Sequence, residues 1–472
     1  MSFEFEWNPL ADQPHNVAPR SERLRHHLRH AGSYFEIAGA NLRRLVPGLR
    51  RYRRTMKRIY REPVAIPPGA FGCGLSPAPA PGSVPGLAPA ALPGADPRSR
   101  DAGDASVLDL FGETGASRAL VRVGSWERES GVLAAREAFV RALRARGVDV
   151  VLALLQRRAD ILDPGSWRAF LEEVFGRFAP LASAFEIGHA WNRTKWGVWD
   201  HREYLRLAES AFELAPRFGA KLAGPAVIDF EFHLYPVTLP RLPFDAVTSL
   251  LYVDRMGAPE NGQFGWTATM KLALLKAAID TSARPGAGRG LWITEVNWPL
   301  AGTGAFSPAS GKPNVSEDEQ ADFLVRYYVL CLASGLAERV YWWQLIAPGY
   351  GLVDNRESPW RRRPAFRAFA ALRAQLEGSV FEGRGAGPDD ADGDGAARGD
   401  ALSAPGVEVF RFRKDGRTFA ICWAPGGGPV ELALAAPAAA VLDREGREIA
   451  PVSAAPQKIL IDGSPKYVLF KE

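Results

Sequence analysis

The sequence predicts a closed (β/α)8 TIM barrel, an α/β fold, with a C-terminal antiparallel β-sandwich and a basic helical N-terminal arm. Three observations lead there. Between residues 71 and 376, about eight short apolar runs alternate with amphipathic helical stretches. The runs are continuously apolar, as expected of parallel strands covered on both faces, and eight such units favour a closed barrel over an open sheet. After residue 406 the pattern changes to short runs with Asp415-Gly416 and Glu445-Gly446 turns, the mark of hairpins.

Taken in order, residues 1–62 form the arm. Nine cations, from Arg43 to Arg61, fall in a stretch without a carboxylate, with Leu42, Leu45, Val46, Leu49 and Tyr52 at helical spacing. Pro47-Gly48 predicts a break into two short helices. The stripe is expected to pack on the main domain, and contact with an anionic membrane or another polyanion is the alternative. Residues 63–378 form the barrel, with a Pro/Ala/Gly-rich insertion at 77–104. Its strands are expected near 71–75, 119–124, 148–155, 184–188, 221–228, 246–252, 290–295 and 339–345. A flexible linker is predicted at 379–406, because Gly, Ala and Asp bury too little apolar surface to offset ordering entropy. Residues 407–472 form the sandwich, which a strand from the N-terminal region could complete.

Composition excludes several function classes. The chain has 472 residues, 47% of them hydrophobic, and a net charge of only +5, so no global nucleic-acid signature is present. Cys73, Cys331 and Cys422 share no ligand spacing and read as free thiols, with no metal site indicated. The first strand is not followed by a glycine-rich phosphate turn, which weakens a dinucleotide fold and leaves no cofactor implied. No apolar stretch spans a bilayer and no secretory signal is evident, so the expected location is cytoplasmic, with membrane-peripheral attachment through the arm as an alternative.

Reactive groups of such barrels lie at the C-terminal strand ends. Those ends supply Arg122, Trp126 and Glu127; Gln156 and Arg157; His189 and Asn192; Asp229 and Glu231; Tyr252 and Asp254; Glu295 and Trp298; then Trp342, Trp343 and Gln344. Aromatic faces stack on the C–H faces of sugars, and amides and carboxylates bond their hydroxyls.

The stretch from about residue 65 to 376 resembles the glycoside hydrolase clan A barrels, nearest to the β-xylosidase and exopolysaccharide-hydrolase type. Ile293-Thr294-Glu295 matches the seventh strand of that clan, and the resemblance implies that Glu295 is the nucleophile. It also implies that Arg122 orients Glu295 and that Tyr252 bonds it. Trp342 or Trp343 would form the sugar-subsite floor, with alternation leaving open which faces inward. Trp126, Asn192, Trp298 and Gln344 complete the expected substrate-binding set.

Glu186-Ile187-Gly188-His189-Ala190-Trp191-Asn192 departs from the clan pattern, in which His189 would be Asn and Ala190 the acid/base Glu. Leu250 stands where many relatives have His. Ala190 cannot protonate a leaving group, and loss of general acid help typically costs about 10²–10⁴ in rate. His189 and Glu231 are the candidate substitutes, and Glu127 and Asp254 are further candidates. Arg193 and Lys195 place cations beside the mouth, which suits an anionic sugar. The expected function is a glycoside hydrolase-like protein acting on a bacterial polysaccharide or glycolipid. The alternative is an inactive sugar-binding or scaffold protein in polysaccharide biosynthesis.

Overall fold

The computed structural model describes the chain apart from residues 1–6, 9, 16–23, 26–27, 77–96, 129–130, 254–256, 263–264, 309–313, 357, 386–403, 435–437, 451–457 and 472. Asp254 and most of the predicted linker therefore lie outside the described residues.

Eight parallel strands close into a barrel in chain order. They are β1 (Phe71–Leu75), β2 (Arg118–Gly124), β3 (Asp149–Leu155), β4 (Ala184–Ile187), β5 (Leu222–Ile228), β6 (Ala246–Leu250), β7 (Leu291–Val296) and β8 (Ala337–Trp342). Helices cover the outside, among them Leu133–Ala145, Pro164–Phe178, His201–Phe218, Ala268–Ser282, Glu317–Ala333 and Pro364–Leu376. Side chains such as Val121, Leu152, Phe185, Val247 and Ile293 pack against these helices, and Leu120, Ala153, Ala223 and Tyr341 fill the interior. Two apolar layers on one strand explain why the runs read as continuous. Gly72 and Gly74 in β1 are required by close packing. A Cβ on Gly72 would lie 2.2 Å from the Tyr341 ring, and one on Gly74 would lie 2.1 Å from the Trp343 indole.

The C-terminal domain is a seven-stranded antiparallel sheet with a separate two-stranded ribbon over it. The sheet runs in the order 448–450, 438–442, 466–470, 417–423, 408–414, 380–384, 64–65. Val409, Ala420, Cys422 and Val468 meet Leu432 and Ile461 of the ribbon in one apolar core. The short Val64–Ala65 strand is the expected contribution from the N-terminal side. The sheet starts earlier than composition implied. Val380–Arg384 is a strand paired with Glu408–Lys414, because Phe381 is buried against Phe410 and Phe412. Likewise the last residues of the insertion belong to a helix, Pro97–Thr114.

The arm contains one continuous helix, α1 (Ala31–Arg58), and the break expected at Pro47-Gly48 does not occur. Tertiary contacts outweigh the local cost of proline. Asn41 Nδ2 donates to the His233 carbonyl at 2.8 Å, and Arg51 bonds Asp280 at 2.6 Å, so both halves are fixed to the barrel. Only part of the predicted stripe packs inward. Tyr52 packs against Trp266 with its ring tilted, whereas Leu42, Leu45, Val46 and Leu49 are exposed.

Candidate active site

The strand sequences explain the centre of the site. Near the end of β7 alternation aims Thr294 towards the barrel interior, and a register irregularity between Ile293 and Val296 turns the next residue, Glu295, inward as well, at the mouth. Thr294 Oγ1 donates to buried Glu186 at 2.6 Å. Burial pushes the Glu186 carboxyl up to about 7. One layer higher, Arg122 Nη2 donates to Glu295 Oε2 at 2.5 Å, and the Tyr252 hydroxyl donates to Oε1 at 2.5 Å. Asn297 Nδ2 holds the tyrosine oxygen at 3.2 Å and the Trp343 carbonyl at 2.7 Å. The Arg122 guanidinium lies 3.5 Å from the centre of the Trp343 ring, a cation–π contact. Burial opposes the charge on Arg122, but Glu295 and Asp12 outweigh it, and its pKa is raised.

Asp12 is the residue that strand-end reasoning missed. Short strands Trp7–Asn8 and Gln13–Pro14 form a hairpin across the barrel mouth, with Asp12 at a positive φ of 50°. Trp7 packs on Trp126 and Trp196 with ring centres 5.4 and 5.9 Å away. Gln13 accepts from Lys195 Nζ at 2.5 Å. Asp12 Oδ2 accepts from Arg122 Nη1 at 3.0 Å, so Asp12 and Glu295 share one guanidinium. Burial first, opposed by Arg122 and reinforced by Glu295, raises the Asp12 carboxyl to about 6. No local pattern marks Asp12, since its partners are more than a hundred residues away.

The donor side is arranged differently. His189 Nε2 lies 3.1 Å from Arg122 Nη2 and 3.6 Å from Glu295. Arginine only donates, so Nε2 accepts and the ring proton sits on Nδ1. Burial, then Arg122 and Lys195, hold His189 well below its usual pKa, so the ring is neutral. Its main chain is fixed by Gln156, which accepts from His189 N at 2.9 Å and donates to the His189 carbonyl at 3.0 Å. Ala190 is fully buried, with a positive φ of 43°. Arg193 binds Glu231 and also Asp229, the latter at 2.6 Å, so its charge is already matched.

The cavity is about 200 Å³, lined by Asp12, Arg122, His189, Lys195, Tyr252, Glu295 and Trp343 among others. Other predicted residues are elsewhere. Trp298 is buried, with Nε1 bonded to the Gly257 carbonyl at 2.8 Å, and it stacks on Trp342 in the outer core. The inward tryptophan is therefore Trp343. Asn192 makes two bonds to the Ile228 main chain, at 2.9 and 3.0 Å, and so braces β5. Gln344 lies 3.5 Å from Asp12 and 3.4 Å from the Tyr350 hydroxyl. Trp126 is reached through Trp7. Glu231 is held at the rim by Arg193, and Glu127 forms a buried pair with Arg136 at 2.8 and 3.0 Å. No group of three or more metal-ligating side chains occurs among the described residues.

No family model matches the sequence, and no curated protein matches it. Solved structures do. A glycoside hydrolase family 30 subfamily 8 xylanase, Xyn30A, from Clostridium acetobutylicum superposes with a TM-score of 0.53 at 11% identity, over 87% of this chain and 99% of that one. A GH51 arabinofuranosidase from Xanthomonas axonopodis pv. citri gives 0.54 at 11% identity, over 87% and 98%. The fold is a glycosidase-like barrel. At such identity the likeness concerns architecture alone, and the chemistry has to be argued from the side chains.

Proposed function

We propose that this protein acts on a terminal sugar residue of a bacterial polysaccharide or glycolipid, with Glu295 as nucleophile. The observation that carries the reading is the clamp on Glu295. Arg122 and Tyr252 each bond one of its oxygens, which fixes the carboxylate, and the Trp343 ring holds the Arg122 guanidinium in place at the pocket wall. The pocket supports an end-acting mode. Its volume of about 200 Å³ is below the roughly 300–1,000 Å³ usual for small-molecule sites, so it suits one ring rather than a chain. Arg193 is matched by carboxylates and Lys195 donates to Gln13, which weakens the case for a strongly anionic sugar.

The proton donor in this reading is Asp12. Ala190 occupies the position where the resembling clan carries its acid, and it has no proton to give. His189 is neutral with its Nε2 lone pair turned to Arg122. Glu231 is bound by Arg193. Asp12 and Glu295 bond different nitrogens of one guanidinium, and the reading requires their carboxyl groups to flank the glycosidic bond at the roughly 5–5.5 Å of a retaining pair. In the reaction Glu295 attacks the anomeric carbon as the glycosidic bond breaks, and Asp12 protonates the departing oxygen. Water then attacks the glycosyl–Glu295 ester, giving its proton back to Asp12.

The test is hydrolysis of aryl and alkyl glycosides by the full chain, Glu295→Gln and Asp12→Asn. Glu295-dependent turnover of aryl substrates supports the nucleophile, and selective loss of alkyl substrates in Asp12→Asn supports the donor. A second reading is a sugar-binding barrel without catalysis, favoured by the neutral, apolar surroundings of Ala190. Saturable sugar binding with no Glu295-dependent turnover on any substrate would establish it.

A further inference from the structure

The outer face of α1 presents an unusual combination. Phe35, Leu42 and Val46 are 79, 69 and 56% exposed, and Leu45 and Leu49 extend the same face. Burying such side chains is worth roughly 1.5–3 kcal/mol each, and here they stand in water. Beside them Arg43, Arg50, Arg53, Arg54 and Lys57 are exposed, and none pairs with a carboxylate among the described residues. Between Glu36 and Glu62 the helix carries no acidic residue.

Under the same helix lies a groove of about 270 Å³ where Arg43, Arg44 and Arg241 meet Leu205 and Val237. Arg44 Nε is buried there without a hydrogen-bond partner among the described residues. Glu36 also borders the groove, but it is held by His201 at 3.0 Å and Arg202 at 3.1 Å. A buried guanidinium N–H without an acceptor is costly unless an anion reaches it.

We infer that α1 docks this protein on an anionic bilayer, its leucines entering the headgroup region and its exposed flanking arginines meeting the lipid phosphates. The charge pattern selects this occupant over others. A second copy docked through the same face would set arginines against arginines. A nucleic acid would match the charge but leave the leucine row in water. An interfacial helix requires both features together, an apolar face and a cationic flank. No helix among the described residues is long and apolar enough to cross a membrane, so attachment would be peripheral.

Co-sedimentation of the full chain with phosphatidylcholine vesicles, with and without phosphatidylglycerol, tests this. Binding should require phosphatidylglycerol and weaken with salt. Leu42→Ser with Leu49→Ser should lower partitioning at least about tenfold, and Arg50→Ala or Arg53→Ala about fivefold each. All four sites are exposed, so unchanged thermal melting should certify the fold. Arg44→Ala, on the barrel side of α1, should leave binding to phosphatidylglycerol vesicles unchanged, and a large loss there would overturn docking by the outer face. Equal binding to neutral vesicles, no loss in the leucine variant, or self-association through this face in its place would overturn the proposal. So would saturation of the groove by inorganic phosphate without any vesicle binding.

Discussion

The two sides of the barrel mouth are built on opposite electrostatic plans. On the β2–β6–β7–β8 side, the Glu295 carboxyl is held by donors from other parts of the barrel, Arg122 and Tyr252, with Asn297 and Trp343 bracing them. On the β4–β5 side the strand ends are neutral or apolar, with His189 uncharged and Ala190 buried, and the nearby carboxylates are bound by Arg193. A nucleophile that must meet one fixed atom can be held by rigid strands. A proton that must come and go needs a group whose pKa lies near the working pH, and here that group arrives on a separate hairpin.

The comparison can be broken most decisively at Glu295. Glu295→Gln should reduce turnover of every glycoside by at least about 10⁴, the scale for removing a nucleophile. A residual rate near that of the unaltered protein would end the nucleophile assignment. Next comes Asp12→Asn, expected to cost about 10²–10⁴ on alkyl glycosides and much less on aryl ones. Because Asp12 donates while protonated, activity on alkyl substrates should fall as pH rises through about 6. An unchanged profile in the variant would move the donor elsewhere.

Glu186 sharpens the contrast from below. Its folded pKa is raised from 4.5 to about 7, so the stability it contributes is full below its unfolded pKa and is lost as pH rises through 7. Urea unfolding should show a loss between pH 5 and 8 that is larger by about 3 kcal/mol than the loss in Glu186→Gln. The smallest effect is expected at Asn192. Asn192→Ala should cost about 1–3 kcal/mol of stability through its two lost main-chain bonds while leaving turnover within a few-fold. A large drop in turnover at full stability would make it a substrate contact after all.

The barrel was legible because its strands bury both faces, which writes continuous apolar runs into the chain. Glu295, Arg122 and Tyr252 were legible because strand ends define the mouth. Other features depended on distance rather than pattern. Adjacent tryptophans at 342 and 343 look alike in sequence, and the space left by Gly74 shows which one turns inward. Pro47 predicts a break, but bonds to His233 and Asp280 hold the helix straight through it. Asp12 was invisible, since its place depends on Trp7 finding Trp126 and Trp196 across the mouth.

The hairpin makes chemistry separable from scaffold. If residues 7–14 supply the proton donor, a chain shortened past Pro14 keeps its clamped nucleophile and loses its acid. A synthetic peptide bearing the Trp7–Pro14 sequence could then restore the lost reaction when added from solution. The protein would behave as an enzyme whose last catalytic part can be lent to it.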